Sequence, residues 1–156
     1  MLPAGSEPPE SADDDIQVLG IPDRPSMLAL SHIAFPDYFR ERTAELGTYL
    51  GIFAGDRLVA MAGERLAVGG LQEISGVCTQ PDFGGRGYAR RLTQALMRRH
   101  RQRGVGSFLH VSEANAAARR LYDSMGFDTR AALPMAKIER IDRGGSSRAV
   151  SSAHGI

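Results

Sequence analysis

The sequence predicts an α/β protein of the α+β type, in which helices pack on the faces of a mixed sheet. Three patterns support this fold class. Short apolar segments separated by glycine turns fill residues 49–79, which is typical of antiparallel strands. Apolar residues recur at helical spacing over residues 88–103 and again over 115–125. Because the first of these helices connects two strand-like segments, those two strands are expected to pair in parallel.

The first half of the chain is predicted to contain a strand, two helices and three further strands. Proline suits a first helical turn, so the first helix is expected to begin at Pro25. The second helix is expected to stop at Gly47. The predicted spans are a strand over 16–19, helices from Pro25 and over 38–46, a hairpin of strands 49–53 and 58–66, and a strand over 71–79.

The second half begins with a glycine-rich loop at residues 83–87. A long helix follows the loop and is expected to end near Gly104, and a second helix over 115–125 stops at Gly126. Strands over 107–111, 127–130 and 133–138 complete the predicted element order β-α-α-β-β-β-α-β-α-β-β. The expected inward stripes are Ala89, Leu92, Ala95 and Leu96 on the long helix, and Ala118, Leu121 and Met125 on the next.

Composition bounds the size and the class of the protein. The 156 residues are 42% hydrophobic, which is enough for the core of one domain over residues 15–141. The flanking segments 1–14 and 142–156 are poor in large apolar groups and are expected to be disordered. The 19 basic and 18 acidic residues nearly balance, which favours neither a nucleic-acid nor a membrane partner. No secretory leader and no membrane-length apolar run is evident, so a cytoplasmic location is expected.

Cysteine content narrows the chemistry further. The single cysteine, Cys78, excludes an internal disulfide and a zinc site built on several thiolates, so no metal is expected. Cys78 lies in an apolar run and is interpreted as a buried structural thiol. The arginines crowded between residues 86 and 103 are interpreted mainly as a solvated helix face.

The glycine-rich loop lies where an anion site would be expected, after a strand and at the start of a helix. The first N–H groups of a helix lack partners within it, and the helix dipole is positive there. Glycines let an anion approach the backbone closely, and Arg86 adds a positive charge. A Walker loop is excluded because the one lysine is Lys137. Arg90 stands where a dinucleotide fingerprint needs its third glycine. A plain tight turn remains the alternative.

Two motifs resemble those of the GNAT family of acetyl-CoA-dependent N-acetyltransferases. The first lies within the stretch from Val77 to Ala89, whose segment Gly84-Gly85-Arg86-Gly87-Tyr88-Ala89 resembles the family's Arg/Gln-x-x-Gly-x-Gly/Ala loop. The second follows at the family's distance and comprises Asn115, Ala118, Leu121-Tyr122 and Gly126-Phe127. The resemblance covers residues 15–140, and the family's element order is the order predicted above.

The resemblance implies that acetyl-CoA is the co-substrate and that its pantetheine arm lies between two separating parallel strands. The backbone of Val77 and Thr79 would pair with that arm, and N–H groups from Gly85 to Ala89 would hold the pyrophosphate. The implied cofactor-binding residues are Val77, Cys78, Thr79, Gly84, Gly85, Arg86, Gly87, Tyr88, Ala89, Asn115 and Tyr122. The sequence departs from the family at Gly84, where Arg or Gln is usual, so weaker binding of acetyl-CoA is expected.

Acetyl transfer to an amine requires a base for the amine and an acid for the departing thiolate. Glu73 matches the position of the family's acidic base, and partial burial is expected to raise its pKa. Strand alternation is expected to place Glu73 on the face of Ser75, Val77 and Thr79, and Cys78 on the opposite face. Glu64 on the neighbouring strand is the alternative base.

The other candidate groups are assigned as follows. Tyr122 is the predicted acid, with a packed core tyrosine as the alternative. Cys78 is not expected to carry an acyl group, since no histidine is paired with it at recognisable spacing. His110, in the apolar strand 107–111, is interpreted as a satisfied core or edge histidine rather than a catalytic one, and His100 carries no signal. Phe35, Tyr38 and Phe39 are expected either to line an acceptor pocket or to anchor their segment.

The expected function is direct transfer of an acetyl group from acetyl-CoA to a primary amine of a small molecule or peptide, in a ternary complex. A non-catalytic domain that binds acyl-CoA is the alternative, because the motifs that hold the cofactor would be the same. Glu73 and Tyr122 together favour the enzyme. The resemblance also allows a homodimer.

Overall fold

A computed structural model describes residues 13–36 and 38–134. The chain divides into two compact units, one ending at His110 and the other beginning at Val111. The first unit contains a sheet and two long helices, and the described part of the second contains one helix. No helix among the described residues combines the length and the apolar character needed to cross a membrane.

The first unit is built on a five-stranded sheet in the order β1-β2-β3-β4-β5. Strands β1 to β4 pair antiparallel, while β4 and β5 pair in parallel, which confirms the predicted mixed sheet. Helix α2 makes the connection between β4 and β5, as the strand–helix–strand pattern predicted. The strands are β1 (Ile16–Leu19), β2 (Tyr49–Ala54), β3 (Arg57–Val68), β4 (Leu71–Thr79) and β5 (Gly106–Leu109), and the helices are α1 (Arg24–Ala34) and α2 (Tyr88–Gln102).

The two helices of the first unit cover opposite faces of the sheet. Helix α1 packs Met27 and Leu30 into a buried cluster with Met61 of β3. Helix α2 buries a stripe of side chains that ends at His100. The Nε2 atom of His100 lies 3.1 Å from Oε1 of Glu64, which is on β3 like Met61. Met61 and Glu64 are three residues apart on β3, so they project to opposite faces. The sheet is therefore a central layer between α1 and α2.

A bulge at Gly76 interrupts β4 and changes which residues share a face. Met61 pairs with Cys78, and Gly63 pairs with Ser75. An advance of two residues along β3 therefore corresponds to three residues along β4, which means that β4 contains one extra residue. Gly76 has φ +62°, a conformation that glycine adopts without strain. The extra residue brings Cys78 to the face of Ser75 and Glu73, and turns Thr79 to the other face. The expected alternation, which grouped Glu73 with Thr79 and opposed it to Cys78, is wrong because it assumed a regular strand.

The second predicted helix, over residues 38–46, is wrong. A single 3-10 turn, Thr43–Glu45, is present there. The N–H of Arg40 donates to Thr43 Oγ1 at 2.9 Å, and a side-chain bond of this kind competes with helical pairing. The backbone bonds that surround it span three residues rather than four, as in Leu46 N to Thr43 O. Phe39 is buried in the core, so one aromatic anchor holds this segment in place of a helical stripe.

In the second unit, helix α3 spans Ala116–Asp123. The strand predicted at 127–130 is absent, since these described residues have no regular structure. Instead, the N–H of Phe127 donates to Tyr122 O at 3.1 Å across Gly126, which has φ +85° and ends the helix. The strand predicted over 133–138 lies mostly outside the described residues, and its residues 133 and 134 have no regular structure. The terminal segments predicted to be disordered also lie outside, apart from Asp13 and Asp14.

Candidate active site

The glycine-rich loop connects β4 to α2 in the conformation that an anion site requires. Gly85 and Gly87 have φ values of +73° and +77°, and Gly87 is the residue that caps the start of α2. No atom lies within 4 Å of where a Cβ would stand on either glycine. The backbone at the helix start is therefore accessible to a ligand, and the dipole of α2 favours a negative one.

A positively charged side chain is held beside this loop. The Arg86 guanidinium lies over the Phe83 ring, 4.7 Å from its centroid, and that of Arg57 lies 5.7 Å from the same centroid. Arg57 is itself fixed by a 3.1 Å bond from its Nη2 to Gln80 Oε1. These cation–π contacts orient the two charges before any ligand arrives.

Strand β4 extends past its parallel neighbour just before the loop. The pairing of β4 with β5 runs from Leu71 opposite Gly106 to Ile74 opposite Leu109. In the part of the chain that the structure describes, β5 ends at Leu109, so residues 75–79 continue without a β5 partner. Val77 and Thr79 lie on this stretch, whose other side pairs with β3, and an extended ligand could add to the edge that β5 leaves open.

Glu73 is buried in a cluster with two basic side chains. It is 1% exposed. Its Oε1 accepts from Arg65 Nη2 at 2.7 Å and lies 2.8 Å from His110 Nδ1, and its Oε2 accepts from Arg65 Nε at 2.9 Å. Burial alone would raise the pKa of Glu73, but the hydrogen bonds from Arg65 and His110 outweigh it and hold the pKa below its ordinary value. The raised pKa expected from burial is therefore wrong.

Sequence reasoning missed both partners of Glu73. Arg65 is eight residues away and His110 is thirty-seven, so no local spacing connects them. Of the two expected places for His110, core or edge, the structure shows the edge, since its side chain is 42% exposed. The available signal was that His110 lies near the end of the strand expected over residues 107–111, which was expected to pair with the strand of Glu73.

An aromatic pair lies on the same face of the sheet as Glu73. The rings of Phe39 and Tyr49 meet edge to face with centroids 5.7 Å apart, and Tyr49 packs so closely on Gly63 that a Cβ there would stand 2.3 Å from its ring. Burial raises the pKa of Tyr49 to about 12. Phe39 thus anchors its segment, whereas Tyr38 is exposed and remains available to a ligand.

Glu64, the alternative base, serves a different network on the face that α2 covers. Its carboxylate accepts from the N–H of Thr48 at 3.0 Å and from Arg103 at 2.5 Å, and it lies 3.1 Å from His100 Nε2. Burial opposes ionisation, but these partners outweigh it and lower the pKa of Glu64. His100 is fully buried and was not predicted, although its four-residue spacing from Leu96 places it on the helix stripe.

The Cys78 thiol is buried against α1, as expected for a structural cysteine. Burial raises its pKa to about 12, so it is protonated at neutral pH. A thiol is a poor nucleophile compared with its thiolate. The burial and the pKa of Cys78 therefore argue against an acyl-carrying role.

The second unit contains the remaining two predicted site residues. Asn115 caps α3, where its Oδ1 accepts from the N–H of Ala118 at 3.0 Å. Tyr122 is 9% exposed and its ring meets that of Phe127 edge to face at 5.9 Å. Burial raises the pKa of Tyr122, so its phenol keeps its proton at neutral pH. A protonated phenol is the form that an acid requires.

Comparisons with known proteins agree with this architecture. Residues 49–134 match the model of the FR47-like protein family. A [ribosomal protein bS18]-alanine N-acetyltransferase of Haemophilus ducreyi is 38% identical over 53 residues, which are 33% of this chain and 37% of that protein. The chain therefore spans little more than a third of this curated relative.

Solved structures extend the likeness over most of the fold. A protein assigned to the GNAT acetyltransferases of Novosphingobium aromaticivorans is 41% identical, with a TM-score of 0.71 over 76% of this chain and 53% of the other. The ribosomal-protein-S18-alanine N-acetyltransferase of Escherichia coli is 24% identical, with a TM-score of 0.66 over 74% and 78%. AAC(6')-Iy, solved with a bisubstrate analogue of CoA, shares the fold at 16% identity, with a TM-score of 0.67 over 80% and 97%.

Proposed function

We propose that this chain, which belongs to the FR47-like family of GNAT-related proteins, transfers the acetyl group of acetyl-CoA directly to a primary amine. One observation carries the proposal. The loop at the start of α2 exposes its backbone through the positive φ angles of Gly85 and Gly87, next to the stretch of β4 that extends past β5. This arrangement suits a ligand with a phosphate at one end and an extended arm at the other.

Acetyl-CoA has both of these features. The N–H groups from Gly85 to Ala89 would hold its pyrophosphate, with Arg86 adding charge, and the main chain of Val77 and Thr79 would pair with the pantetheine arm. The open space at both glycines supports this fit, since a phosphate oxygen can approach where a side chain would otherwise stand. Asn115 and Tyr122 remain predicted cofactor-binding residues, as the resemblance to the family implies.

The transfer requires one bond to form and one to break. The neutral amine nitrogen attacks the acetyl carbonyl, which forms the C–N bond, and the nitrogen then loses a proton to a base in the cluster around Glu73. The C–S bond breaks, and the departing thiolate takes the phenolic proton of Tyr122. Solvent restores both groups, so the net products are an N-acetylated amine and CoA.

The acceptor is a primary amine on a small molecule or a peptide. The similarity to the ribosomal-protein-alanine acetyltransferase favours a peptide with an N-terminal alanine as the first acceptor to test. The structural likeness to AAC(6')-Iy makes neamine, an aminoglycoside fragment, the second.

The proposal is tested first by binding and then by transfer. Thermal unfolding is followed with acetyl-CoA, CoA and NAD in parallel, since a ligand at a hundred times its Kd stabilises the native state by about 2.7 kcal/mol. Acetyl-CoA and CoA should raise the Tm and NAD should not. Release of the CoA thiol is then measured with the alanine peptide, neamine and spermidine. Binding without transfer to any amine would favour the non-catalytic alternative.

A further inference from the structure

Glu73 is poorly arranged to take a proton from an amine itself. Both of its oxygens accept hydrogen bonds from Arg65, at 2.7 and 2.9 Å, and the carboxylate is 1% exposed. Arg65 and His110 already occupy three of the roughly four acceptor sites of the carboxylate, and the side chain offers almost no surface to an amine. Another group in the cluster is therefore better placed to contact the amine.

His110 has the exposure that Glu73 lacks. Its side chain is 42% exposed and its Nδ1 lies 2.8 Å from Glu73 Oε1. An ionised carboxylate only accepts hydrogen bonds, so Nδ1 carries the proton and Nε2 of the neutral ring carries the lone pair. The Phe108 ring meets the imidazole edge to face at 5.8 Å and helps to fix its plane.

The position of His110 matches the expected place of the reaction. It follows Leu109, the last residue of β5 that pairs with β4. The stretch of β4 proposed to hold the pantetheine arm begins at Ser75, one residue beyond the partner of Leu109. The imidazole is therefore attached where the pairing of β4 with β5 ends.

We infer that His110 Nε2 takes the proton from the amine nitrogen as the C–N bond forms, and that Glu73 is a positioning residue for the imidazole. The inference rests on the proposed function and deepens it. The carboxylate stays ionised, holds the Nδ1–H tautomer and stabilises the imidazolium that results. Arg65 keeps Glu73 ionised and fixed in place. The imidazolium returns its proton to solvent after CoA has taken one from Tyr122, so the proton balance is unchanged.

The first test uses the free protein and needs no acceptor. The ¹⁵N shifts of the His110 ring report which nitrogen carries the proton in the neutral form. We expect the Nδ1–H tautomer in the wild type and a shift toward Nε2–H in Glu73→Gln. An Nε2–H tautomer in the wild type would overturn the inference.

The second test measures acetylation of the N-terminal alanine peptide, with acetyl-CoA binding measured by calorimetry on each variant. His110→Gln should lower kcat by about 100-fold or more while acetyl-CoA still binds. His110→Gly should recover activity when imidazole is added, whereas Glu73→Gln should not, and Glu73→Asp should regain part of what Glu73→Gln loses. His32→Gln, a change at an exposed histidine of α1, serves as the matched control and should leave kcat unchanged.

The outcomes separate the two proposals. An active wild type whose His110→Gln variant keeps kcat within about threefold overturns the role of His110 and leaves the proposed function standing. A wild type that binds acetyl-CoA but acetylates none of the three amines overturns the proposed function, and the role of His110 with it. Because both His110→Gln and His110→Gly are tested, the result stays decisive if one of the two variants fails to fold.

Discussion

The carboxylate of Glu73 and the guanidinium of Arg65 form a two-point ion pair, with Oε1 to Nη2 at 2.7 Å and Oε2 to Nε at 2.9 Å. The carboxylate is buried, while the Arg65 side chain is 40% exposed. A fork-to-fork pair of this kind fixes both position and charge. It therefore determines whether Glu73 can act as a base itself or only through its other partner, His110.

Removing the guanidinium should destabilise the fold, because the buried carboxylate would lose its main partner. We expect Arg65→Met to lower the free energy of unfolding by about 1–3 kcal/mol, less than for a fully buried pair because Arg65 is partly exposed. Urea denaturation measures the change. Arg42→Met, which removes the solvent-exposed bond from Arg42 to Glu45, is the control and should change little. Equal effects of the two substitutions would contradict the importance of the buried pair.

Stability should fall on acidification in two stages. Burial, the largest cause, lowers the pKa of His100 below its ordinary value of 6.5, so the unfolded chain takes up a proton that the folded chain refuses. The contribution of neutral His100 to the free energy of unfolding is complete above about pH 6.5 and declines as the pH falls below that value. Glu64 and Glu73, with lowered pKa values, add a second loss as the pH falls below their ordinary value of 4.5. Urea denaturation from about pH 8 to about pH 3 measures both stages.

His100→Gln isolates the upper stage. The variant should show a flatter dependence of unfolding free energy between pH 6.5 and 5, because the group whose protonation differs between the two states is gone. An unchanged slope in that range would assign the pH dependence to another residue.

A side chain at Gly87 should weaken acetyl-CoA binding more than a comparable change elsewhere. Gly87→Ala places a Cβ at φ +77°, which costs about 1–2 kcal/mol of stability, and points it into the space proposed for a phosphate. We expect acetyl-CoA affinity, measured by calorimetry, to fall by about tenfold or more. Gly55→Ala is matched in strain, with φ +59° and no atom near its Cβ, but lies in the turn between β2 and β3. The affinity of the Gly55→Ala variant for acetyl-CoA should stay at the wild-type value.

Restoring the family's arginine should strengthen binding. Gly84 has φ −61° and ψ 157°, which any residue adopts, and its Cβ would stand 3.3 Å from Pro81 O, so a side chain needs only a small adjustment. Gly84→Arg adds a cation beside the proposed phosphates and should tighten the Kd for acetyl-CoA by about fivefold or more. Gly84→Ala separates the effect of charge from that of backbone stiffness. A merely marginal gain in the arginine variant would show that Gly84 does not limit binding.

The proposed acid is tested by removing one oxygen. Tyr122→Phe should lower kcat by about 100-fold while acetyl-CoA binding persists, because the ring remains and only the proton donor is lost. Tyr38→Phe removes a phenolic oxygen at a residue that is exposed and available to an acceptor, so its effect should fall on the KM for the amine and not on kcat. Full activity of Tyr122→Phe would leave Tyr122 with a packing role against Phe127.

Most of the fold could be read from local patterns. Glycines, prolines and apolar periods identified the five strands and the helices α1, α2 and α3 that residues 13–36 and 38–134 contain, since each pattern acts over a few neighbouring residues. The same reasoning failed at residues 38–46, where Thr43 bonds to the backbone, and at 127–130, where Phe127 closes the end of α3. In both segments a local hydrogen bond replaced the pattern expected from composition.

The sequence by itself determined the family, the glycine loop and the candidate Glu73, because these depend on residue type and spacing. Only the tertiary structure decided how Glu73 is ionised and what it contacts. Arg65 reaches it across a strand pair and His110 from the end of a parallel neighbour, and the bulge at Gly76 sets which face Cys78 shares. Charge–charge contacts and burial fall off over a few ångströms in space, whatever the separation along the chain, so they follow from the sheet register and not from the order of residues.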